Sequence, residues 1–494
     1  MKTLTSSSGQ IHLHLLLITI LLSLNIVIQV RSETPQELPK GFTATPDSSI
    51  SSFQPLLNDP TGDFSLGFLR IEDSKLSLAI LHVPSSEPIW TANTTGSLRW
   101  SKATKLSFNG SLVLSDSHSN VFWSTRSVGD RVLLMHDSNL QVQKLSGKNE
   151  QSIVWQSYDF PFDTLIESQN FTVSMSLVSR NGLYSMRLGD TYFGLYSKVN
   201  MNSTQLYWKH GAMEAKAEIV EGNGPIYARI SSNGYLGMYQ TLKAPVDILP
   251  FDSFQRPVPG IRKLKLESDG NLRGYYWSGT TWVLDFKAIS DVCELPNACG
   301  SYGLCQPGKG CSCLDNKTQY NSGECFPHKT GDSCSKNEVL GKGYWILRRK
   351  GVEVPYKEWM GFEKMETLND CEDSCERNCS CWGAVYNNAT KFCYKIQYPI
   401  NSLVSDGDEG KSGFFKVKNE EKKRVVSVAV GLGLIIGAII VLVLVLVVGF
   451  VIFSVWRRRK NHSDRLLEDG LTPGSYKGLD SESFRSVELS QQRS

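Results

Sequence analysis

All cysteines of this 494-residue chain, twelve in number, fall between Cys293 and Cys393. Two sets of six at tight spacing imply a bridged framework if the chain is secreted, and metal sites or reduced thiols if it stays in the cytosol. The possible folds of this region therefore depend on which side of a membrane it occupies.

Two apolar stretches answer that. Leu13–Val30 follows a single Lys2 and leads into Val30-Arg31-Ser32, where small residues admit cleavage. An apolar core with those flanks at the amino terminus is expected to be a secretory signal peptide, residues 1–32. The second stretch, Val425–Trp456, carries no charge and ends in Arg457-Arg458-Arg459-Lys460. A bilayer core of about 30 Å needs roughly 20 helical residues, and a soluble helix keeps a polar face, so residues 425–456 are expected to form a transmembrane helix. Lys422-Lys423-Arg424 precede it, so charge bias alone does not orient it. The leader does, and the expectation is a single-pass type I protein of the plasma membrane with an extracellular ectodomain. Residues 457–494 are polar and serine-rich and are expected to be a short disordered cytoplasmic tail. Lipid-anchor signals end in their apolar tail, which this chain does not.

On the oxidising side the cysteines are expected to pair, each bridge contributing roughly 2–5 kcal/mol. A zinc site at Cys311-Ser312-Cys313 is the rival and is disfavoured there. Glycosylation sequons at Asn93, Asn109, Asn170, Asn202, Asn316 and Asn388 agree with secretion. Asn378-Cys379-Ser380 is a sequon built on a cysteine and is expected to be a poor acceptor. A net charge of +3 gives no case for nucleic acid.

From about residue 48 to 288 short aromatic and β-branched runs alternate with Gly/Asn/Asp/Ser turns, the pattern of an all-β region. A turn motif recurs within it: Asn109-Gly110-Ser111-Leu112, Asp137-Ser138-Asn139-Leu140, Asn233-Gly234-Tyr235-Leu236 and Asp269-Gly270-Asn271-Leu272. Each reads as a turn feeding a strand that opens on a buried leucine. Two copies precede Val154–Leu165 and two follow it, so two domains are expected with a junction near Ser174.

FSLGF (64–68), IWTAN (89–93), VFWST (121–125) and VWQSYDFPFDTL (154–165) resemble the bulb-type mannose lectin domain of plant S-locus glycoproteins and lectin receptor kinases. SDGNLRGYYW (268–277), followed by CGSYGLC (299–305), is similar to the second S-locus domain and its junction with an EGF-like module. The resemblance implies a mostly β chain: two β-prism lectin-like domains (48–174 and 175–290), a small disulfide-rich EGF-like module (291–327), an α+β PAN/apple module (334–418) and one transmembrane helix. It also implies the pairings Cys293–Cys305, Cys299–Cys311 and Cys313–Cys325, then Cys371–Cys393, Cys375–Cys381 and Cys334–Cys379. Spacing alone leaves fifteen pairings open for six cysteines. Thr367 with Asp370 marks a helix start, placing Cys371, Cys375 and Cys379 on one helical stripe. The acidic and amide residues that precede calcium-binding EGF modules are missing from Ile289-Ser290-Asp291-Val292, so no calcium is expected.

By the same resemblance, mannose would be held by a Gln-x-Asp-x-Asn-x-Val-x-Tyr strand. The copy at Asp137 and Asn139 has Met135, Gln141 and Gln143 at the other positions; the copy around Asn109 keeps only Val113. In the second domain Asp269, Asn271 and Tyr275 match, while Glu267 and Arg273 do not. These five residues are the candidate carbohydrate contacts. The competing reading makes them turn-formers that satisfy their own backbone, and mannose retention is expected to be weak or absent.

Catalysis has no foundation here. The histidines are scattered without ligand spacing, no paired carboxylates suggest glycan hydrolysis, and residues 457–494 hold no Gly-rich or catalytic-loop motif. No enzyme activity, cofactor or metal is expected. Gly433-x-x-x-Gly437 within the apolar run offers a helix-contact face. The expected function is a receptor-like membrane protein that binds an extracellular protein or glycan and works through a receptor kinase or a second copy of itself. A wall-glycan lectin without a signalling role is the alternative.

Overall fold

The computed structural model describes residues 34–464, apart from 72–73, 148–149, 200–202, 212–225, 241–243, 316–319, 321–322, 324, 326–343, 398–399, 402 and 419–427. The proposed leader, Cys334, Asn202, Asn316 and the chain beyond 464 lie outside the described residues. The chain divides into two compact units, Met1–Asn419 and Glu420–Ser494.

The first unit is mostly β and begins with a three-sheet prism. One sheet runs Phe53–Asn58, Phe64–Ile71, Lys75–His82 and Glu87–Thr91 in sequence order, with Leu98–Arg99 pairing on Lys75–His82. The second contains Phe42–Ala44, Lys105–Phe108, Leu112–Ser115 and Val121–Ser124; the third contains Glu37–Pro39, Arg131–Leu134, Leu140–Ser146 and Glu150–Gln156. Burial alternates along Leu112–Ser115 and Arg131–Leu134, as it must when one face of a strand meets a core and the other meets water. Leu66, Phe68, Leu78, Ile80, Leu106, Leu114, Val132 and Val142 meet in the middle. The prism starts ahead of residue 48, because the short strands at 37–39 and 42–44 each complete one sheet and Leu38 is fully buried.

The second prism repeats the plan. Its sheets are Ser176–Val178, Tyr184–Leu188, Tyr192–Lys198 and Thr204–Gly211; Tyr227–Ser231, Tyr235–Tyr239 and Pro245–Pro250; and Thr164–Ile166, Arg262–Leu266, Leu272–Trp277 and Trp282–Lys287. Strand Thr164–Ile166 lies ahead of the expected junction, yet it pairs with Arg262–Leu266. Its alternating side chains face opposite ways: Ile166 enters the first core and Leu165 the second. The two prisms therefore meet across this strand and not near Ser174.

All four recurring turn motifs take the same backbone form. Gly110, Ser138, Gly234 and Gly270 have φ of 94°, 75°, 79° and 87°, and Leu112, Leu140, Leu236 and Leu272 are fully buried. Glycine adopts this conformation freely; Ser138 does so at a cost of roughly 1–2 kcal/mol.

Disulfides join Cys293 to Cys305, Cys299 to Cys311, Cys313 to Cys325, Cys371 to Cys393 and Cys375 to Cys381. Cys379 is also disulfide-bonded. The two cysteine modules share one sheet, because Gly303–Gln306 pairs in parallel with Leu403–Ser405, which in turn pairs with Val352–Glu353. Tyr302 is buried at this seam and donates its hydroxyl to the Lys416 carbonyl. Helix Leu368–Glu376 starts with a capping box between Thr367 and Asp370. It stops at Glu376, so Cys379 sits beyond the helix and not on a three-cysteine stripe. The buried Lys416 ammonium donates to the carbonyls of Cys375 (3.0 Å) and Asn378 (3.3 Å), placing a cation where the helix dipole is negative.

The second unit contains helix Val428–Asp464. Its segment Ile436–Arg459, 24 residues with none buried, is a candidate membrane span; at 1.5 Å per residue it reaches about 36 Å, enough for a bilayer core with some tilt.

A Cβ on Gly303 would lie 2.0 Å from the Cys299 carbonyl oxygen, whereas one on Gly361 meets nothing within 4 Å. Gly303→Ala is expected to leave reactive thiols in the expressed protein and Gly361→Ala none, read by maleimide labelling on a non-reducing gel.

Candidate functional site

The five candidate sugar contacts lie on two hairpins, one in each prism. In the first, the Asp137 carboxylate accepts the Asn139 backbone N–H at 3.1 Å. Asn139 is only 4 % exposed. Its amide donates to Gln156 at 2.8 Å, and its oxygen accepts from the Ser157 hydroxyl and the Tyr158 N–H at 3.4 Å each. Tyr158 closes the loop by donating to the Asp137 carbonyl; burial first, and then the Asp137 charge, push its pKa far up. Where the sugar strand would show valine and tyrosine, Gln143 donates to Gln141 at 2.8 Å and receives Arg131 Nε at 3.1 Å. The face is filled by the protein's own amides.

The second hairpin follows the same plan. Asp269 accepts the Asn271 N–H at 2.9 Å and pairs with Arg273. Asn271, 2 % exposed, donates to the Ile289 carbonyl at 2.7 Å and accepts the Ile289 N–H at 3.1 Å. Tyr275 donates its hydroxyl to Glu267 at 2.8 Å. In both hairpins the asparagine ties the turn to the chain leaving the last strand of its sheet, at 156–158 in one and 289 in the other. Hydrogen-bonded buried amides stabilise, and an unpaired buried partner costs about 1–3 kcal/mol. In the copy around Asn109, Ser111 bonds Ser124 at 2.9 Å and Thr125 at 3.1 Å.

The sequons Asn93, Asn109, Asn170 and Asn388 are exposed. Gly437 lies within the apolar helix, and a Cβ there meets nothing within 4 Å; Gly433 lies in the same helix. The sulfurs of Cys299, Cys305 and Cys311 lie within 4.8 Å of one another. All three are in bridges, and a metal needs thiolates, so the cluster reflects two bridges packed side by side.

Two features escaped sequence reading. An open cleft of about 540 Å³ separates the second prism from the cysteine modules, lined in part by Tyr184, Gln205, Asn297, Tyr356, Lys395 and Gln397. Its amides and hydroxyls suit a polar ligand. The other is a charge cluster at the prism junction. Lys263, 2 % exposed, reaches Glu87 at 2.6 Å, and Lys265 reaches the other oxygen of the same carboxylate at 3.0 Å. The Lys263 ammonium also lies 3.9 Å from the Trp282 ring centroid, and His82 packs between Trp277 and Trp282. Burial pulls the Glu87 carboxyl up, and the two lysines more than offset it, holding its pKa below the ordinary value. Burial lowers the Lys263 pKa more than Glu87 restores it. Lys263 is thus the desolvated partner and Glu87 the one that answers it.

Residues 88–187 match the D-mannose binding lectin family, and residues 253–318 match the S-locus glycoprotein domain. The chain is 51 % identical over 459 residues to the PAN domain-containing protein At5g03700 of Arabidopsis thaliana, covering 92 % of each chain. It is 26 % identical over 419 residues to the G-type lectin S-receptor-like serine/threonine-protein kinase SD2-5 of the same plant, covering 78 % of this chain and 46 % of the kinase. This chain therefore spans about half the length of that receptor kinase. Among solved structures, the two-domain fetuin-binding agglutinin of Scilla campanulata matches 53 % of this chain and 97 % of its own, at 15 % identity and a TM-score of 0.20.

Two outcomes follow from this geometry. Asn271→Ala strands both polar groups of Ile289 and should destabilise the second prism by about 1–3 kcal/mol, seen as a lower urea midpoint, while leaving retention on a mannose column unchanged. Because the Glu87 pKa is depressed on folding, its contribution is fully present above the ordinary value of 4.5 and is lost as pH falls through the lower folded value. Glu87→Gln should flatten that acid limb of the stability curve and cost somewhat less than the roughly 3–5 kcal/mol of a fully buried pair, since Glu87 keeps 28 % of its side chain exposed.

Proposed function

Because this chain belongs to the same family as the Arabidopsis thaliana PAN domain-containing protein, we propose that it is a receptor-like recognition protein, anchored in the plasma membrane by one span. Its ectodomain binds an extracellular glycan or protein without catalysing a reaction on it. The observation that carries this reading is the union, in one chain, of a prism-and-disulfide unit with a 24-residue apolar helix. Bridged cysteines and exposed sequons support an ectodomain on the oxidising side, hence a type I orientation.

Ligand contact falls outside the Asp137/Asn139 and Asp269/Asn271/Tyr275 hairpins, because internal hydrogen bonds engage the polar groups that a sugar would need. Those residues act as latches that hold each prism closed. The signal passes sideways through the membrane, to a receptor kinase or to a second copy, by way of the Gly433/Gly437 face and the PAN/apple module. Small residues let two helix backbones approach closely.

Full-length protein solubilised in mild detergent should bring a receptor kinase or a second tagged copy with it. Replacing both Gly433 and Gly437 by isoleucine should weaken that recovery severalfold, as expected when a contact of about 1–2 kcal/mol is removed. Recovery of no kinase and no second copy from native membranes would overturn the lateral-signalling reading.

A further inference from the structure

The three sheets of the second prism carry a repeated outward pattern. In strands Tyr192–Lys198 and Tyr235–Tyr239, Phe193, Leu195, Leu236 and Met238 enter the core. The alternate positions read Tyr192, Gly194, Tyr196 and Tyr235, Gly237, Tyr239; of these, Tyr239 is 5 % exposed and lies beneath the layer, while Tyr192, Tyr196 and Tyr235 are half-buried. Directly across the sheet from each of these glycines is an arginine, Arg187 opposite Gly194 and Arg229 opposite Gly237. Each guanidinium lies over the tyrosine two residues past its glycine, Arg187 over Tyr196 at 5.2 Å and Arg229 over Tyr239 at 4.8 Å. The glycines make room for this layer: a Cβ on Gly237 would lie 2.7 Å from the Tyr239 ring, and one on Gly194 would lie 3.2 Å from the Tyr196 ring. In the third sheet the matching outward positions are Arg273 and Tyr275, and the residue opposite Arg273 is Lys265.

Lys265 shows what a cation at this register position accepts. Its ammonium lies 3.0 Å from the Glu87 carboxylate, which the first prism delivers onto that face. Arg187 and Arg229 hold the equivalent positions on the other two sheets and, among the described residues, pair with no carboxylate. A guanidinium has five N–H donors, so one that lies over a ring, or that gives one bond to it as Arg229 does to Tyr239, retains donors for a two-point bond to a carboxylate. Hydroxyl groups stand beside each one: Tyr192 and Tyr196 bond each other at 3.2 Å, and Tyr235 bonds Tyr239. Burial first, and then the neighbouring hydroxyl, push the Tyr196 and Tyr239 pKa values up to about 12, so both remain protonated donors at any physiological pH. Lys209, whose ammonium lies 4.5 Å from the Tyr192 ring centroid, adds a second cation to the first face.

We propose that the faces at Arg187/Tyr196 and Arg229/Tyr239 bind an acidic polysaccharide, each taking a uronic acid carboxylate on its arginine, with sugar hydroxyls on the Tyr192/Tyr196 pair of the first face and on Tyr235 of the second. A polyuronate repeats a carboxylate and vicinal hydroxyls on every ring, so each face meets the same pair of groups at any point along the polymer. An acidic peptide answers the arginines but leaves the hydroxyls unused. The inference rests on the reading of the ectodomain as a ligand-binding surface and names the ligand class.

Detergent-solubilised full-length protein is tested for binding to immobilised oligogalacturonate, with neutral galactan and polyglutamate alongside. Binding to oligogalacturonate is expected, weakening as salt rises because charge pairing at a surface is screened, and exceeding binding to either control. Arg187→Gln and Arg229→Gln should each weaken it about tenfold or more, as loss of a charge-assisted contact does. Both residues face outward, so thermal midpoints should not move; Tyr196→Phe, which removes only a hydroxyl, gives a second reading if an arginine variant misfolds. No binding by the native protein, equal binding of polyglutamate, or full binding by the folded double-arginine variant would each overturn the proposal. These outcomes are independent of kinase or self-association through the Gly433/Gly437 helix, so failure here and failure of the lateral-signalling reading are told apart.

Discussion

One three-residue strand makes the two prisms a single object. Thr164–Ile166 sends Ile166 into the first core and Leu165 into the second while it hydrogen-bonds into a sheet of the second. A strand committed to two cores cannot be released from one without opening the other. The charge cluster beside it works in the same direction, since Glu87 is the counterion of a lysine buried on the far side of the junction. Removing either partner would leave a desolvated charge, which is far more costly than losing an exposed pair.

The cysteine-rich half is joined by a comparable device. A disulfide ties only its own two segments, and the bridges seen here each close within one module. What unites the modules is the parallel pairing of Gly303–Gln306 with Leu403–Ser405 and the insertion of Tyr302 beneath it.

Much of this was legible in the chain. The Asn-Gly and Asp-Gly turns and the Asp-Ser turn at 137–138 each place one residue at positive φ and one leucine in the core, so local chemistry alone located four hairpins. Thr367 and Asp370 announced a capped helix, because a capping box is a local device. The misses are non-local. Glu37–Pro39 and Phe42–Ala44 are too short to show periodicity and become strands only because two sheets lack an edge. Glu87 and Lys263 are 176 residues apart, and nothing in either neighbourhood announces the other. From sequence, Asp137, Asn139, Asp269 and Asn271 read as turn-formers more readily than as sugar ligands, and no residue nearby names the groups they bond. Only their hydrogen-bond partners, Gln156 and Ile289 among them, reveal where the polar atoms are engaged. The arginine opposite a glycine between two tyrosines needed strand register before it could be seen.

The central claim is that the prism-and-disulfide unit is held outside the cell by the apolar helix. Protease digestion of sealed microsomes tests it most directly. The account predicts a protected fragment holding the whole bridged region, digested only after permeabilisation and carrying no maleimide-reactive thiol. Digestion of that region in intact vesicles, or free thiols throughout it, would contradict the account.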